Sequence, residues 1–173
     1  MPATYKKIQS VTVTASTAAA MEFTSIPTTY TDLLLKISAR STNASNVSPM
    51  IVTFNSDTTN ANYRYTVLYV AGTTVGSEGN ASSRFAIFYQ TADSATASTF
   101  GNAEVYIPNY AGSKPKLYSV DSVGENNATN SGMGMNNSLW NQTSAVTSIS
   151  IAFDTGINIK QHSTATLYGI LKK

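Results

Sequence analysis

Apolar and polar residues alternate with a period of two along most of this chain, and the 3.6-residue period of a helix is nearly absent. Leu33, Leu35, Ile37 and Ala39 alternate with Leu34, Lys36, Ser38 and Arg40. Successive side chains on a strand point to opposite faces. The first set is therefore expected in a core and the second mostly in solvent. Met21 and Phe23 flank Glu22 ahead of Ile26-Pro27, where the proline lacks the N–H that a ladder needs. Met50, Val52 and Phe54 predict the next strand, closed by the turn formers Asn55-Ser56-Asp57. Tyr63, Tyr65, Val67 and Tyr69 then share one face, and Arg64, Thr66, Leu68 and Val70 the other. Both faces carry bulk, as expected of a strand covered twice, with a partner as one source of the second cover.

Residues 84–89 read as a short strand. Ala103, Val105 and Ile107 alternate with Asn102, Glu104 and Tyr106 as far as Pro108-Asn109. Tyr118, Val120 and Ser122 oppose Leu117, Ser119 and Asp121 in the next strand. Ile149, Ile151 and Phe153 mark another. The last sets Ala165, Leu167, Gly169 and Leu171 against Thr166, Tyr168 and Ile170. Residues 76–83, 91–99 and 124–134 read as loops. The last of these is dense in Asn and Gly and is followed by Leu139-Trp140. About nine or ten short strands at this spacing predict an all-β domain over residues 1–173, a two-sheet antiparallel β-sandwich of jelly-roll type. Both chain ends read as strand, which would let them pair or lie close.

Composition agrees with that picture and narrows it. The chain has 173 residues, long enough for a substantial core without a staple. Only 12% of residues are charged, so Ser, Thr and Asn fill the polar positions. The net charge of +2 is too small, and Lys6-Lys7, Lys172-Lys173 and Lys114-Pro115-Lys116 too scattered, for a nucleic-acid-binding face. Those lysines read as solvated termini and a turn. With no cysteine, thiol nucleophiles, disulfides and zinc knuckles are excluded. No apolar run approaches a bilayer span, and the N-terminus lacks the apolar core of a signal peptide. Release by lysis, inside an assembled particle, would fit.

Candidate chemistry is sparse. His162, the single histidine, sits among Gln161, Ser163 and Thr164 with no nucleophile elbow in the chain, and reads as a surface residue. Asp121 and Glu125 lie close in sequence, but Gly124, Asn126 and Asn127 favour a turn rather than a catalytic pair. EF-hand spacing and phosphate-cradling glycine patterns are missing. No catalytic residue, metal site or cofactor is expected. The suggestive residues are aromatic: Tyr63, Tyr65 and Tyr69 on one face, and Trp140, the sole tryptophan, beside a polar loop. Two readings stand for them, a tyrosine-rich core face or an interface, and sugar stacking would use the same residues.

Several segments also resemble a family of small tailed-phage virion proteins. They are Pro2-Ala3-Thr4-Tyr5-Lys6-Lys7-Ile8, Ser25-Ile26-Pro27-Thr28-Thr29-Tyr30-Thr31-Asp32-Leu33, Ser38-Ala39-Arg40-Ser41 and Phe54-Asn55-Ser56-Asp57. Further along, they are Tyr106-Ile107-Pro108-Asn109-Tyr110-Ala111-Gly112, Asp121-Ser122-Val123, Glu125-Asn126-Asn127-Ala128 and Ser163-Thr164-Ala165-Thr166-Leu167-Tyr168-Gly169-Ile170. The resemblance implies membership of a phage particle and carries over no functional residue. Together with the missing chemistry it leads to an expected capsid cement or decoration protein. Such a protein would be a homotrimer on the outer shell, bound to the major capsid protein, with no nucleic-acid or membrane partner. A tail-associated, receptor- or glycan-binding module is the alternative, and a hydrolase of the host envelope is remote.

Overall fold

The computed structural model describes residues 4–125, 127 and 131–171. Its early strands are β1 (Tyr5–Thr12), β2 (Thr17–Ala18), β3 (Ala20–Phe23), β4 (Asp32–Ala39) and β5 (Val47–Phe54). A 3₁₀ turn (Asn60–Asn62) leads into β6 (Tyr63–Ala71), β7 (Thr74–Asn80), β8 (Phe85–Thr91) and β9 (Gly101–Ile107). The remainder are β10 (Lys116–Glu125), β11 (Ser131–Trp140), β12 (Ile149–Ala152), β13 (Ile159–Lys160) and β14 (Thr164–Ile170).

These strands make an antiparallel β-sandwich. The larger sheet runs β1-β14-β4-β9-β10-β11-β6-β7 and the smaller β3-β12-β5-β8, with a β13-β2 ribbon beside them. The chain crosses between the sheets from β3 to β4, β4 to β5 and β5 to β6, a path compatible with a jelly roll. The first and last strands pair, with Tyr5 opposite Ile170 and Thr12 opposite Thr164.

Alternation places the core as expected. Leu33, Leu35, Ile37 and Ala39 are buried beside Val105, Ala103 and Leu167 of neighbouring strands, facing Met21, Phe23, Val52, Phe54 and Ile151 of the smaller sheet. The sheets converge where β8 ends. A Cβ on Gly101 would lie 2.7 Å from the Thr91 nitrogen and 3.0 Å from the Gln90 Cα. One on Gly124 would touch the Thr91 nitrogen at 3.4 Å. Glycine at these positions lets one backbone rest on another.

Four expectations need correction. Residues 76–80 are not loop but part of β7, an edge strand held by β6 through pairs such as Val70 with Val75. The stretch before Leu139 is β11, paired along its length with β10 and β6. The residues from 126 to 130, apart from Asn127, lie outside the described residues, as do Lys172-Lys173. Arg40 does not face solvent: it is buried and donates to the carbonyls of Thr96 (2.7 Å), Thr99 (2.9 Å), Ala95 (3.0 Å) and Asp93 (3.1 Å). Those acceptors belong to the 93–99 loop, which cannot pair in a sheet and meets the guanidinium fork instead. Lys116 is likewise buried, its Nζ donating to the carbonyls of Gly112 (2.7 Å) and Lys114. Burial pulls its pKa below the usual lysine value.

Candidate functional site

The four aromatics singled out by sequence divide into two groups. Tyr63 and Trp140 lie inside the sandwich, fully or almost fully buried. They pack with Phe54 and Tyr118: Trp140 to Phe54 at 5.5 Å between ring centroids, Trp140 to Tyr63 at 6.4 Å, and Phe54 to Tyr118 edge-on at 5.1 Å. Their polar atoms are engaged as well. Trp140 Nε1 donates to Asp57 Oδ2 at 2.8 Å, and Tyr63 Oη donates to the Asp57 carbonyl at 3.0 Å. Tyr63 Oη also accepts from the Phe54 amide at 3.0 Å. Partial burial works to raise the Asp57 pKa. Donors from Trp140, Asn62 and Thr59 outweigh it and hold the carboxyl below its ordinary value.

Tyr65 and Tyr69 are only half-buried. Tyr65 Oη donates to Glu78 Oε1 at 3.2 Å across the β6–β7 hairpin. The Tyr69 ring lies over Gly76, where a Cβ would come within 2.5 Å of it. Tyr89 of β8 meets Tyr69 at 6.4 Å and lies over Gly132 in the same way, again at 2.5 Å. Burial raises the pKa of both Tyr65 and Tyr89, with the Glu78 charge as a smaller cause for Tyr65 and the Tyr69 and Glu78 charges for Tyr89. Beside Tyr89 a cleft of about 350 Å³ opens between Asn46 and Val47 on one side and Gly72 and Gly132 on the other. Sequence reasoning named Tyr65 and Tyr69 but missed Glu78, which pairing brings in from β7, and Tyr89, which the packing of the smaller sheet brings in on β8. The available signal was a glycine at each position where a large ring needs room.

The outward face of the larger sheet is the second candidate surface. One cross-strand row reads Thr12, Thr164, Ser38, Asn102, Val123, Met133, Val70, Val75 from β1 to β7. The next reads Ser10, Thr166, Lys36, Glu104, Asp121, Met135, Leu68, Ser77. Both rows turn from polar to largely apolar between β9 and β11. Leu68, Val75, Val123, Met133 and Met135 are all exposed. Leu68 and Val70 are the outward bulk of β6, whose interface candidates Tyr65 and Tyr69 lie on the opposite face. In the polar half Lys36 pairs with Glu104 at 3.0 Å.

The other residues weighed for chemistry are dispersed. His162 is exposed in a turn, with φ 71°. Asp121 is exposed on the outward face. Glu125 instead accepts from the Thr96 amide (2.8 Å) and the Thr96 (3.0 Å) and Thr99 (2.8 Å) hydroxyls, fastening the loop that Arg40 holds from within. Among the described residues no group of three or more His, Asp or Glu side chains could hold a metal, and no helix is long and apolar enough to cross a membrane. Comparison with protein-family models, curated proteins and solved structures finds no match.

Proposed function

We propose that this chain is a non-enzymatic structural protein of a tailed-phage particle, a capsid cement or decoration protein. In this reading it sits as a homotrimer on the outer surface of the shell and stabilises it by binding the major capsid protein. The observation that carries the reading is the apolar half of the outward face, centred on Val123, Met133, Met135 and Leu68. A contiguous apolar surface on a water-facing sheet is stabilised when a partner removes it from water. Few charges surround it, so docking costs little desolvation of ions. The resemblance to small phage virion proteins supplies the particle and the shell supplies the partner. Glu125 supports the non-enzymatic side of the reading, since its carboxylate is committed to Thr96 and Thr99.

Electron microscopy of intact particles tests the placement directly, and native mass spectrometry tests the trimer. Density for this chain on the capsid, and capsids that melt at lower temperature once stripped of it, are the expected results. Val70→Lys and Met135→Glu should abolish rebinding to stripped capsids while leaving the fold intact. Finding the chain in purified tails but not in capsids would overturn the reading.

A second reading, a tail-associated receptor- or glycan-binding module, is favoured by one observation. Tyr65, Tyr69 and Tyr89 line one partly open ledge on the side of the larger sheet opposite the apolar patch.

A further inference from the structure

We propose that the ledge formed by Tyr69 and Tyr89, with the cleft beside Tyr89, is a binding site for an uncharged pyranose sugar. The proposal rests on the glycan-binding reading and gives it a site and a ligand class.

The first argument is the way the rings are held. Tyr89 lies on Gly132 and Tyr69 on Gly76, and a methyl group at either glycine would collide with the ring above it. One face of each ring is thus set against backbone, and the rings stay only half-buried. At a 6.4 Å separation and a 45° tilt the pair forms an open V rather than a closed stack. An aromatic face fixed in this way presents an apolar, weakly negative surface that suits the axial C–H groups of a pyranose, with little side-chain entropy lost on binding.

The second argument is the hydrogen-bonding groups around the rings. The phenolic hydroxyl of Tyr89 can donate or accept, while Tyr65 gives its proton to Glu78. Glu78 is exposed beside them and accepts from Tyr65. Asn46 lines the cleft and is exposed. Sugar hydroxyls need such a mixture of donors and acceptors.

The third argument is charge. Among the described residues neither the cleft nor the ledge contains a lysine or arginine, and Glu78 contributes a negative charge. A phosphate, uronate or sialic acid would find no cation there and would be repelled. Among the described residues Glu78 is the one carboxylate of the ledge, which suits holding a sugar rather than cleaving it.

The test is a ¹H,¹⁵N NMR titration of the intact chain. The probes are methyl glucoside, methyl galactoside, methyl N-acetylglucosaminide, maltohexaose and chitohexaose, each to about 20 mM, a range that reveals the millimolar affinities of single sugar sites. Glucuronic acid is the anionic control. At least one neutral probe should shift amides at residues 45–47, 69–72, 89 and 131–132, while glucuronic acid should not. Tyr89→Ala should weaken that binding about tenfold or more. Tyr89→Phe, which keeps the ring, should retain it within about threefold, and so should Tyr106→Ala on the opposite face.

Absence of shifts with every neutral probe, shifts located elsewhere, or binding unchanged in a folded Tyr89→Ala protein would each overturn the site. The broader reading fails separately. A chain that binds sugar through Tyr89 but lies on the capsid keeps the site and loses the tail-associated role.

Discussion

Strand β6 carries tyrosines at 63, 65 and 69 on one face, yet its two ends meet different surroundings. At the Tyr63 end the smaller sheet closes over it. Phe54, Tyr118 and Trp140 fill the space, and each polar atom of Tyr63 and Trp140 is bonded to Asp57 or the Phe54 amide. At the Tyr69 end the hairpin with β7 runs beyond that cover, and the rings rest on glycines. The same residue type on the same face thus serves packing at one end and remains half-open at the other. The neighbouring strands decide which, because burial depends on what lies above the face as well as on the face itself.

The contrast can be broken by substitution, and the largest effect belongs to the closed end. Trp140→Ala should cost about 3–5 kcal/mol in denaturant unfolding, through lost burial and a residual cavity. A loss below about 1 kcal/mol would mean that this end is not packed as described. Gly101→Ala should cost about 1–3 kcal/mol or more, because the added methyl meets the backbone of Thr91 and Gln90, which cannot swing away. Gly132→Ala should cost less in the same measurement, since the Tyr89 ring in its path is a side chain at the rim.

Asp57 gives a smaller effect with a defined sign. Its folded pKa lies below its ordinary value of 3.8, so its stabilising contribution is fully present above that pH. That contribution is lost as pH falls through the lower folded value. Asp57→Ala should remove about 1–3 kcal/mol at neutral pH and flatten the acid limb of a stability–pH profile followed by Trp140 fluorescence. A variant profile that kept the wild-type slope would assign the acid sensitivity to other carboxyls. The smallest expected effect is at the open end, where Tyr69→Ala should change stability by less than about 1 kcal/mol. A cost matching that of Trp140→Ala would erase the contrast and turn the ledge into core.

Legibility in the sequence follows the same division. Strands β4, β9, β12 and β14 lie under the cover of the opposite sheet, so apolar residues fall inward and the alternation could be read directly. In β11 the inward positions are Gly132, Gly134, Asn136 and Ser138, while Met133 and Met135 face out. That inverted pattern reads as a loop, although pairing with β10 and β6 holds it flat. Strand β7 was missed for a related reason: Gly76 makes room for the Tyr69 ring, Gly79 lies against the β6 backbone at Tyr65, and neither contributes an apolar signal. Arg40 and Lys116 were misjudged because a loop's unpaired carbonyls attract a buried cation, and no local pattern announces them. Tyr65 and Tyr69 could be found as a face, but the ledge also requires Tyr89 and Glu78. Glu78 arrives through the register that sets it opposite Val67, and Tyr89 through the packing of β8 of the smaller sheet against Gly132 and Tyr69.

The pairing of β1 with β14 has a mechanical consequence. Tyr5 sits opposite Ile170, so the two ends of the ladder nearest the termini lie side by side. Tension applied between them would load the hydrogen bonds in sequence rather than together, peeling β1 from the edge like a strip while the rest of the sandwich carried no force. A chain tethered through both ends would yield gradually at that edge. One tethered through a single end and pressed by its sheet face would resist as a rigid block.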